Sequence, residues 1–231
     1  MLLRRVQAAR ARLQNEGPAR TRAVEGDFER VSLPWQECNA LRDALMVEKA
    51  SVVIEVGLAY GSSALAIAEA ILSTNAESAY HVVIDPFQES EYLNVGWEAL
   101  CAAGLDTHAR LMLEASSSAL PKLLADGFTA DAAFVDGSHR FHEVFVDLYF
   151  LRKLVRPAGL VILDDVGWPS VATAARYYEL NLGWRRLELT ERLGAWRLPR
   201  IPFEPAFTDF KPFDGVAHLA AQPCRPGQTT S

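Results

Sequence analysis

From about residue 51 the chain alternates short apolar, β-branched runs with longer stretches whose apolar positions recur at helical spacing. The short runs are Ser51–Val56, Tyr80–Ile84, Ala109–Leu113, Ala132–Val135 and Leu160–Leu163. Between them, helical spacing falls at Ala64–Leu72, near Trp97–Ala102, near Ser118–Asp126, at Phe141–Leu154 and at Val171–Asn181. Strands with so few polar positions are buried on both faces, which predicts a parallel sheet covered by helices. The ending differs: Trp184–Leu189 and Ala195–Leu198 read as strands joined by a short turn containing Gly194, a hairpin. The expected fold class is therefore α/β, a doubly wound, Rossmann-like and mostly parallel sheet closed by one antiparallel hairpin. Residues 1–45 read as an N-terminal helical cap and 46–198 as the domain. Residues 199–231 read as a partly flexible arm carrying Phe203, Phe207, Phe210 and Phe213, with a frayed polar end. There is no internal repeat.

Composition adds exclusions. With 231 residues, 50% of them hydrophobic and 23% charged, the chain is neither disordered, fibrous nor a disulfide miniprotein. No apolar run approaches a bilayer span, and the longest, Ala64–Leu72, is broken by Glu69. The start, Met1–Arg5, lacks the apolar segment of a secretory signal, so a cytoplasmic enzyme is the expectation. A net charge of −6 argues against nucleic acid, which needs a dense basic field. The charge is uneven: Arg4, Arg5, Arg10, Arg12, Arg20 and Arg22 face only Glu16 within residues 1–22. That stretch reads as a helix packed on the domain or on a second copy in a homodimer. A transit peptide or an anionic-surface contact is the alternative. Cys38, Cys101 and Cys224 are scattered and fit reduced thiols.

The candidate chemistry sits where strands end. The first strand runs into Glu55-Val56-Gly57-Leu58-Ala59-Tyr60-Gly61-Ser62-Ser63 and then a helix. Glycine at such a junction lets backbone approach a ligand, and the helix N-terminus offers free N–H groups. The dinucleotide fingerprint GxGxxG is absent, because Ala59 stands where its second glycine would be. The spacing ExGxxxG suits S-adenosylmethionine instead, since no pyrophosphate has to be cradled. Asp85 ends the second strand, where an acidic residue can accept both ribose hydroxyls. Ser116 and Ser117 follow the third strand, at the adenine edge.

On these residues the chain resembles the class I S-adenosylmethionine-dependent methyltransferases, over roughly Leu33–Leu198. Among them it is most similar to the small catechol-type and macrolide-sugar-type O-methyltransferases. The likeness is carried by Val53–Gly57 through Gly61-Ser62-Ser63, by Phe134-Val135-Asp136-Gly137-Ser138-His139, and by Gly159 through Asp164-Asp165-Val166. It implies a seven-stranded sheet of order 3-2-1-4-5-7-6 with strand seven antiparallel. It places Glu55, Gly57, Tyr60, Gly61 and Ser63 at the methionine end of the cofactor, Asp85 on the ribose, Ser116 and Ser117 near the adenine, and Asp136 beside the cofactor.

Asp136 ends the fourth strand, and Asp164 and Asp165 end the fifth. On neighbouring strands the three carboxylates would repel, and a hard divalent cation such as Mg²⁺ resolves that. The resemblance implies that Asp136, Asp164 and Asp165 bind Mg²⁺ and the substrate's vicinal oxygens. Relatives often carry Asn at the last position, so Asp165 adds a negative charge. His139, three residues after Asp136, suits general-base work, with Asp136 as its catalytic partner. Catechol-type relatives have a lysine there and sugar-modifying ones a histidine. Plainer readings stand beside these. Asp164-Asp165 is also a turn and helix cap, Asp136-Gly137 a common turn dipeptide, and His139 a structural histidine. A metal-free transfer is open, and His139 with His142 has zinc-ligand spacing but no third His or Cys nearby. Asp147 reads as a tie between its helix and a loop, or as part of a solvated face. Trp168 reads as a substrate wall or packing, and Trp35, Phe207 and Phe210 as a lid. His81, His108 and His218 are background.

The expected activity is methyl transfer to a hydroxyl of a small molecule, a vicinal diol or catechol on a sugar, polyketide or phenolic compound, with Mg²⁺ assisting. Rival readings are an N- or protein methyltransferase, a nicotinamide-dependent reductase, and a non-catalytic partner subunit of the same fold.

Overall fold

The computed structural model describes residues 1–213. Three helices, α1 (Leu2–Glu16), α2 (Asp27–Val31) and α3 (Trp35–Glu48), precede the sheet. Then β1 (Val52–Val56), α4 (Ser62–Asn75), β2 (Tyr80–Ile84), α5 (Val95–Ala103), β3 (Ala109–Met112), α6 (Ser116–Ala125) and β4 (Ala130–Val135) alternate. They are followed by α7 (Phe141–Leu154), β5 (Val155–Leu163), α8 (Pro169–Leu182), β6 (Arg185–Glu188) and β7 (Gly194–Arg197). The strands form one sheet in the order β3-β2-β1-β4-β5-β7-β6. β1 to β5 are parallel, and β7 runs antiparallel to both β5 and β6.

Successive side chains of a strand point to opposite faces. Ala132 and Phe134 of β4, with Leu160 and Ile162 of β5, join the core under α1, α3, α4 and α5. Ala133 and Val135, with Val161 and Leu163, join the core under α6, α7 and α8. Both faces being dry explains the near-absence of polar residues in these strands.

The strand β5 starts at Val155, earlier than the apolar run indicates. Ala158, before Gly159, adopts a left-handed φ of 58°. The strand persists as an irregularity in the β4–β5 ladder, where a Cβ on Gly159 would lie 2.6 Å from the Asp131 carbonyl oxygen.

The basic N-terminal stretch packs on the domain. Val6, Arg10 and Leu13 share the buried face of α1. Arg10 donates to Glu69 (2.6 Å) and Asn39 (2.6 Å), and Arg5 to the carbonyl of Ala102 (3.1 Å). Arg20 pairs with Glu98 and Arg22 with Asp27, at 2.6 and 2.7 Å. Among the described residues no helix is long and apolar enough to cross a membrane. Cys38 and Cys101 are free thiols, and Cys224 lies outside the described residues.

The segment after Pro199 does not form the expected lid. Arg152 of α7 holds Glu204 at 2.7 Å, and the Lys211 N–H donates to Asn181 of α8 at 2.7 Å. These anchors draw the segment along the outer sides of α7 and α8, leaving Phe207 99% exposed. The polar stretch beyond residue 213 lies outside the described residues.

At the far edge of the sheet, the buried carboxylate of Glu48 ends α3 and accepts from Arg156 (2.7 Å) and Arg197 (2.5 Å). It ties the helical cap to β5 and β7. Both guanidinium groups are about one-third exposed, so solvent screening reduces the loss expected for a buried pair. Glu48→Gln is expected to lower stability by about 1–2 kcal/mol, read as a reduced urea midpoint with an unchanged slope.

Candidate active site

The chain reverses after β1 through a loop that its glycines make possible. Gly57 has φ +97°, and a Cβ there would fall 2.1 Å from the carbonyl oxygen of Asp136. The glycine therefore answers first to the neighbouring strand end. Gly61, φ +87°, leads into α4 and packs against Gly96 of α5. Asp85 at the end of β2 holds the loop from below. It accepts the N–H groups of Leu58 (3.1 Å), Ala59 (3.0 Å) and Phe87 (2.8 Å), and the Gln88 amide (2.9 Å).

This arrangement gives several of the expected site residues partners within the chain itself. Asp85 is buried and its carboxylate is committed to four donors of the chain itself. Ribose hydroxyls would have to displace one of them. Tyr60 is fully buried and donates to Asp27 at 2.5 Å, so its ring is a strut under α2. Ser63 donates to Glu55 at 2.5 Å, and His81 places Nε2 3.0 Å from the other Glu55 oxygen. Glu55 is thus buried beneath the loop, one oxygen bonded to Ser63 and the other without a well-aligned partner. Ser116 and Ser117, in the first turn of α6, remain accessible at the carboxyl edge.

The acidic residues do come together. The register Val135↔Leu163 makes β4 and β5 end side by side, so Asp136 and Asp164 follow at the same level. Ligand atoms of Asp136, His139 and Asp164 lie within 4.8 Å of one another. His139 Nε2 lies 3.3 Å from Asp136 and 3.6 Å from Asp165. Both His139 and Asp165 hold left-handed backbone, φ 57° and 50°, a strained conformation that the site enforces on non-glycine residues. The His139 ring packs against Trp168 at 5.2 Å. His142 is 74% exposed with Glu143 as its acidic neighbour, so a two-histidine zinc site is not formed.

Arg192, in the turn between β6 and β7, is the residue the sequence did not flag. Its Nε donates to Asp164 at 2.6 Å while Nη2 takes the second oxygen, and Asp165 lies 3.5 Å from Nε. Its place follows from the β5–β7 register, Leu163↔Gly194, which sets the turn beside the end of β5. Burial works against its charge, but Asp164, Asp165 and Asp136 outweigh it and hold the guanidinium protonated. Burial, with the charge of Asp164 adding, raises Asp136 to about 7. Burial alone would lower His139, and the neighbouring Asp136 carboxylate raises it instead. Near neutral pH the Asp136–His139 pair is therefore able to hold or release a proton.

Asp147 on α7 supports the first turn of α6. It is buried, bonded to the Ser116 side chain, and one of its oxygens lacks a partner. Burial raises its carboxyl to about 7.

Residues 54–166 match a family model described as a methyltransferase domain. Comparison with curated proteins gives no match. Among solved structures, the chain resembles an O-methyltransferase from Bacillus cereus bound to S-adenosylhomocysteine, at 15% identity and TM-score 0.58, covering 85% of this chain and 90% of the other. It resembles TomG of Streptomyces achromogenes, an O-methyltransferase of tomaymycin synthesis solved with S-adenosylmethionine, at 16% identity and TM-score 0.61, covering 84% and 89%. It also resembles CalS11, a TDP-rhamnose 3′-O-methyltransferase of calicheamicin biosynthesis, at 17% identity and TM-score 0.58, covering 84% and 93%. These likenesses establish the class I methyltransferase fold. The family match falls on the part of the chain that holds the glycine loop and the acidic cluster.

Two outcomes follow from this geometry. Gly57→Ala forces a side chain onto the Asp136 carbonyl at a positive φ, and is expected to cost at least about 3 kcal/mol in urea unfolding. For Asp147, the folded pKa near 7 lies above the unfolded value of about 3.9. Its contribution is favourable below about pH 4 and is lost as pH rises through 7. Asp147→Asn is thus expected to raise Tm more at pH 8 than at pH 5, and an equal change at both would contradict the buried, raised carboxyl.

Proposed function

We propose that this methyltransferase transfers its methyl group to a hydroxyl of a small molecule, with a vicinal diol or catechol on a sugar, polyketide or phenolic compound as the acceptor class. The observation that carries this is the meeting of Asp136, His139, Asp164 and Asp165 at the carboxyl edge, beside the glycine loop. The O-methyltransferase titles of the structural neighbours, including a sugar hydroxyl acceptor for CalS11, support the same reading.

S-adenosylmethionine supplies an electrophilic methyl on a sulfonium, and that chemistry belongs to the cofactor. The loop 57–61, Ser116, Ser117 and Asp85 are the residues proposed to hold it, with Gln88 giving way where the ribose enters. The Asp136–His139 pair takes the hydroxyl proton, the acceptor oxygen bonds to the methyl carbon, and the carbon–sulfur bond breaks to leave S-adenosylhomocysteine. Trp168 and the strained loop at His139 orient the acceptor and exclude water.

The donor set also fits a divalent cation. Three carboxylates against the single guanidinium of Arg192 leave two negative charges uncompensated while His139 is neutral. Both His139 ring nitrogens are buried without a well-aligned partner, and each Asp164 oxygen keeps a lone pair beyond Arg192. Asp136, Asp164 and Asp165 are the proposed ligands, and Mg²⁺ there would lower the pKa of an acceptor hydroxyl. One observation favours a metal-free variant of the same reaction: Arg192 already supplies a positive charge to Asp164 and Asp165.

Methyl transfer to catechol, followed with labelled S-adenosylmethionine, tests both readings. Asp165→Ala is expected to lower kcat by about 100-fold or more with the affinity for S-adenosylhomocysteine unchanged, and EDTA to stop turnover until Mg²⁺ is restored. If EDTA is without effect and His139→Ala still costs about 10²–10⁴-fold, the transfer is metal-free. Unchanged turnover in both variants would remove the cluster from the mechanism.

A further inference from the structure

The acidic cluster already has a cation, and that cation belongs to the chain. Arg192 comes from the turn 189–193 between β6 and β7. Its Nε donates to one Asp164 oxygen at 2.6 Å and its Nη2 to the other, and Asp164 is fully buried. A guanidinium fork engages both carboxylate oxygens at once. Each oxygen keeps a second lone pair, but a metal ion placed on it would sit against the charge of the guanidinium. Arg192 and a divalent ion therefore make rival claims on Asp164.

The turn is braced, so in such an exchange the side chain yields and the backbone stays. Thr190 Oγ1 accepts the N–H groups of Arg192 (3.2 Å) and Leu193 (2.8 Å), and donates to Glu37 of α3 (2.6 Å). The Arg192 carbonyl accepts the N–H of Val166 at 3.1 Å, one residue past Asp165. The guanidinium is less committed: Nη1 is buried without an acceptor, and the side chain as a whole is 15% exposed. The other side of the cluster has room for a further bond. His139, 8% exposed, places Nε2 3.3 Å from Asp136 and 3.6 Å from Asp165, and neither ring nitrogen has a well-aligned partner. A buried ring nitrogen left unbonded among carboxylates marks the cluster as built for a further occupant.

We propose that Arg192 is a built-in competitor of the divalent ion. In the ion-free protein it neutralises Asp164, and the ion gains Asp164 as a ligand only as the guanidinium turns away. This rests on the cation reading of the three carboxylates and adds its regulation. In the wild type the exchange is favoured when acceptor oxygens bind the ion at the same time, so that ion and acceptor load together.

The test is a titration of the full chain with Mn²⁺, the free ion followed by electron paramagnetic resonance and S-adenosylhomocysteine binding measured in the same samples. Arg192→Gln is expected to bind Mn²⁺ at least about tenfold tighter than the wild type, with Arg192→Lys between them. Without the ion, Arg192→Gln leaves a buried carboxylate uncompensated, and its Tm should fall by about 10 °C. Mn²⁺ should restore most of that loss while moving the wild-type Tm little. Should Arg192→Gln not fold without the ion, Arg192→Lys, which keeps the charge, carries the comparison. Asp164→Asn combined with Arg192→Gln removes both partners and retains the fold, and it should lose the gain in affinity. A gain that survives there, or Mn²⁺ binding no tighter in Arg192→Gln and Arg192→Lys than in the wild type, would overturn the competition and keep the cation site. Absence of Mn²⁺ binding in every variant would overturn both, while S-adenosylhomocysteine binding would still keep the methyltransferase reading.

Discussion

Three carboxylates at the ends of two adjacent parallel strands cannot stay unpaired, and the compensation of that charge organises the top of this molecule. The β4–β5 register creates the crowding. Arg192 answers most of it from the hairpin turn by gripping both oxygens of Asp164. His139 answers the rest from a left-handed backbone position between Asp136 and Asp165. Asp164 is the deepest of the three carboxylates and is held by the fixed guanidinium, whereas Asp136 and Asp165 are partly exposed. The same ion pair draws the β6–β7 turn over the end of β5. The antiparallel edge of the sheet thus completes the site as well as closing the fold.

A second constraint lies across the crevice. Gly57 passes so close to Asp136 that loop and acidic cluster form one packed unit, and Asp85 pins the loop through its N–H groups. Glycine loop and acidic cluster are therefore positioned by each other and not by separate scaffolds. The N-terminal helices extend this unit. Tyr60 and Asp27 fasten α2 over the loop, and Arg10 fastens α1 to α4.

Much of this was legible in the sequence. Apolar runs with few polar interruptions locate the five parallel strands, because burial on both faces leaves little room for alternation. Asp136, His139, Asp164 and Asp165 were found for the same reason: residues that follow parallel neighbours share one edge. Asp85, Glu55, Tyr60 and Ser63 each have partners within the chain that the sequence does not announce, because a polar side chain at a strand end serves the chain or a ligand equally well in sequence. Only the count of backbone donors separates the two. Arg192 was hidden in a turn whose place depends on the β5–β7 register. The pairing of Arg10 with Glu69 and Asn39 joins residues far apart in the chain, and nothing local announces it.

The central claim is that a cofactor crevice and a cation-competent carboxylate cluster meet at one sheet edge. The most direct measurement is titration of S-adenosylhomocysteine into EDTA-treated protein, repeated with Mg²⁺ and catechol. Micromolar cofactor binding without metal, and catechol binding only once Mg²⁺ is added, is the predicted result. Catechol binding that ignores Mg²⁺ would contradict the cation role of the cluster, and absence of cofactor binding would contradict the account as a whole.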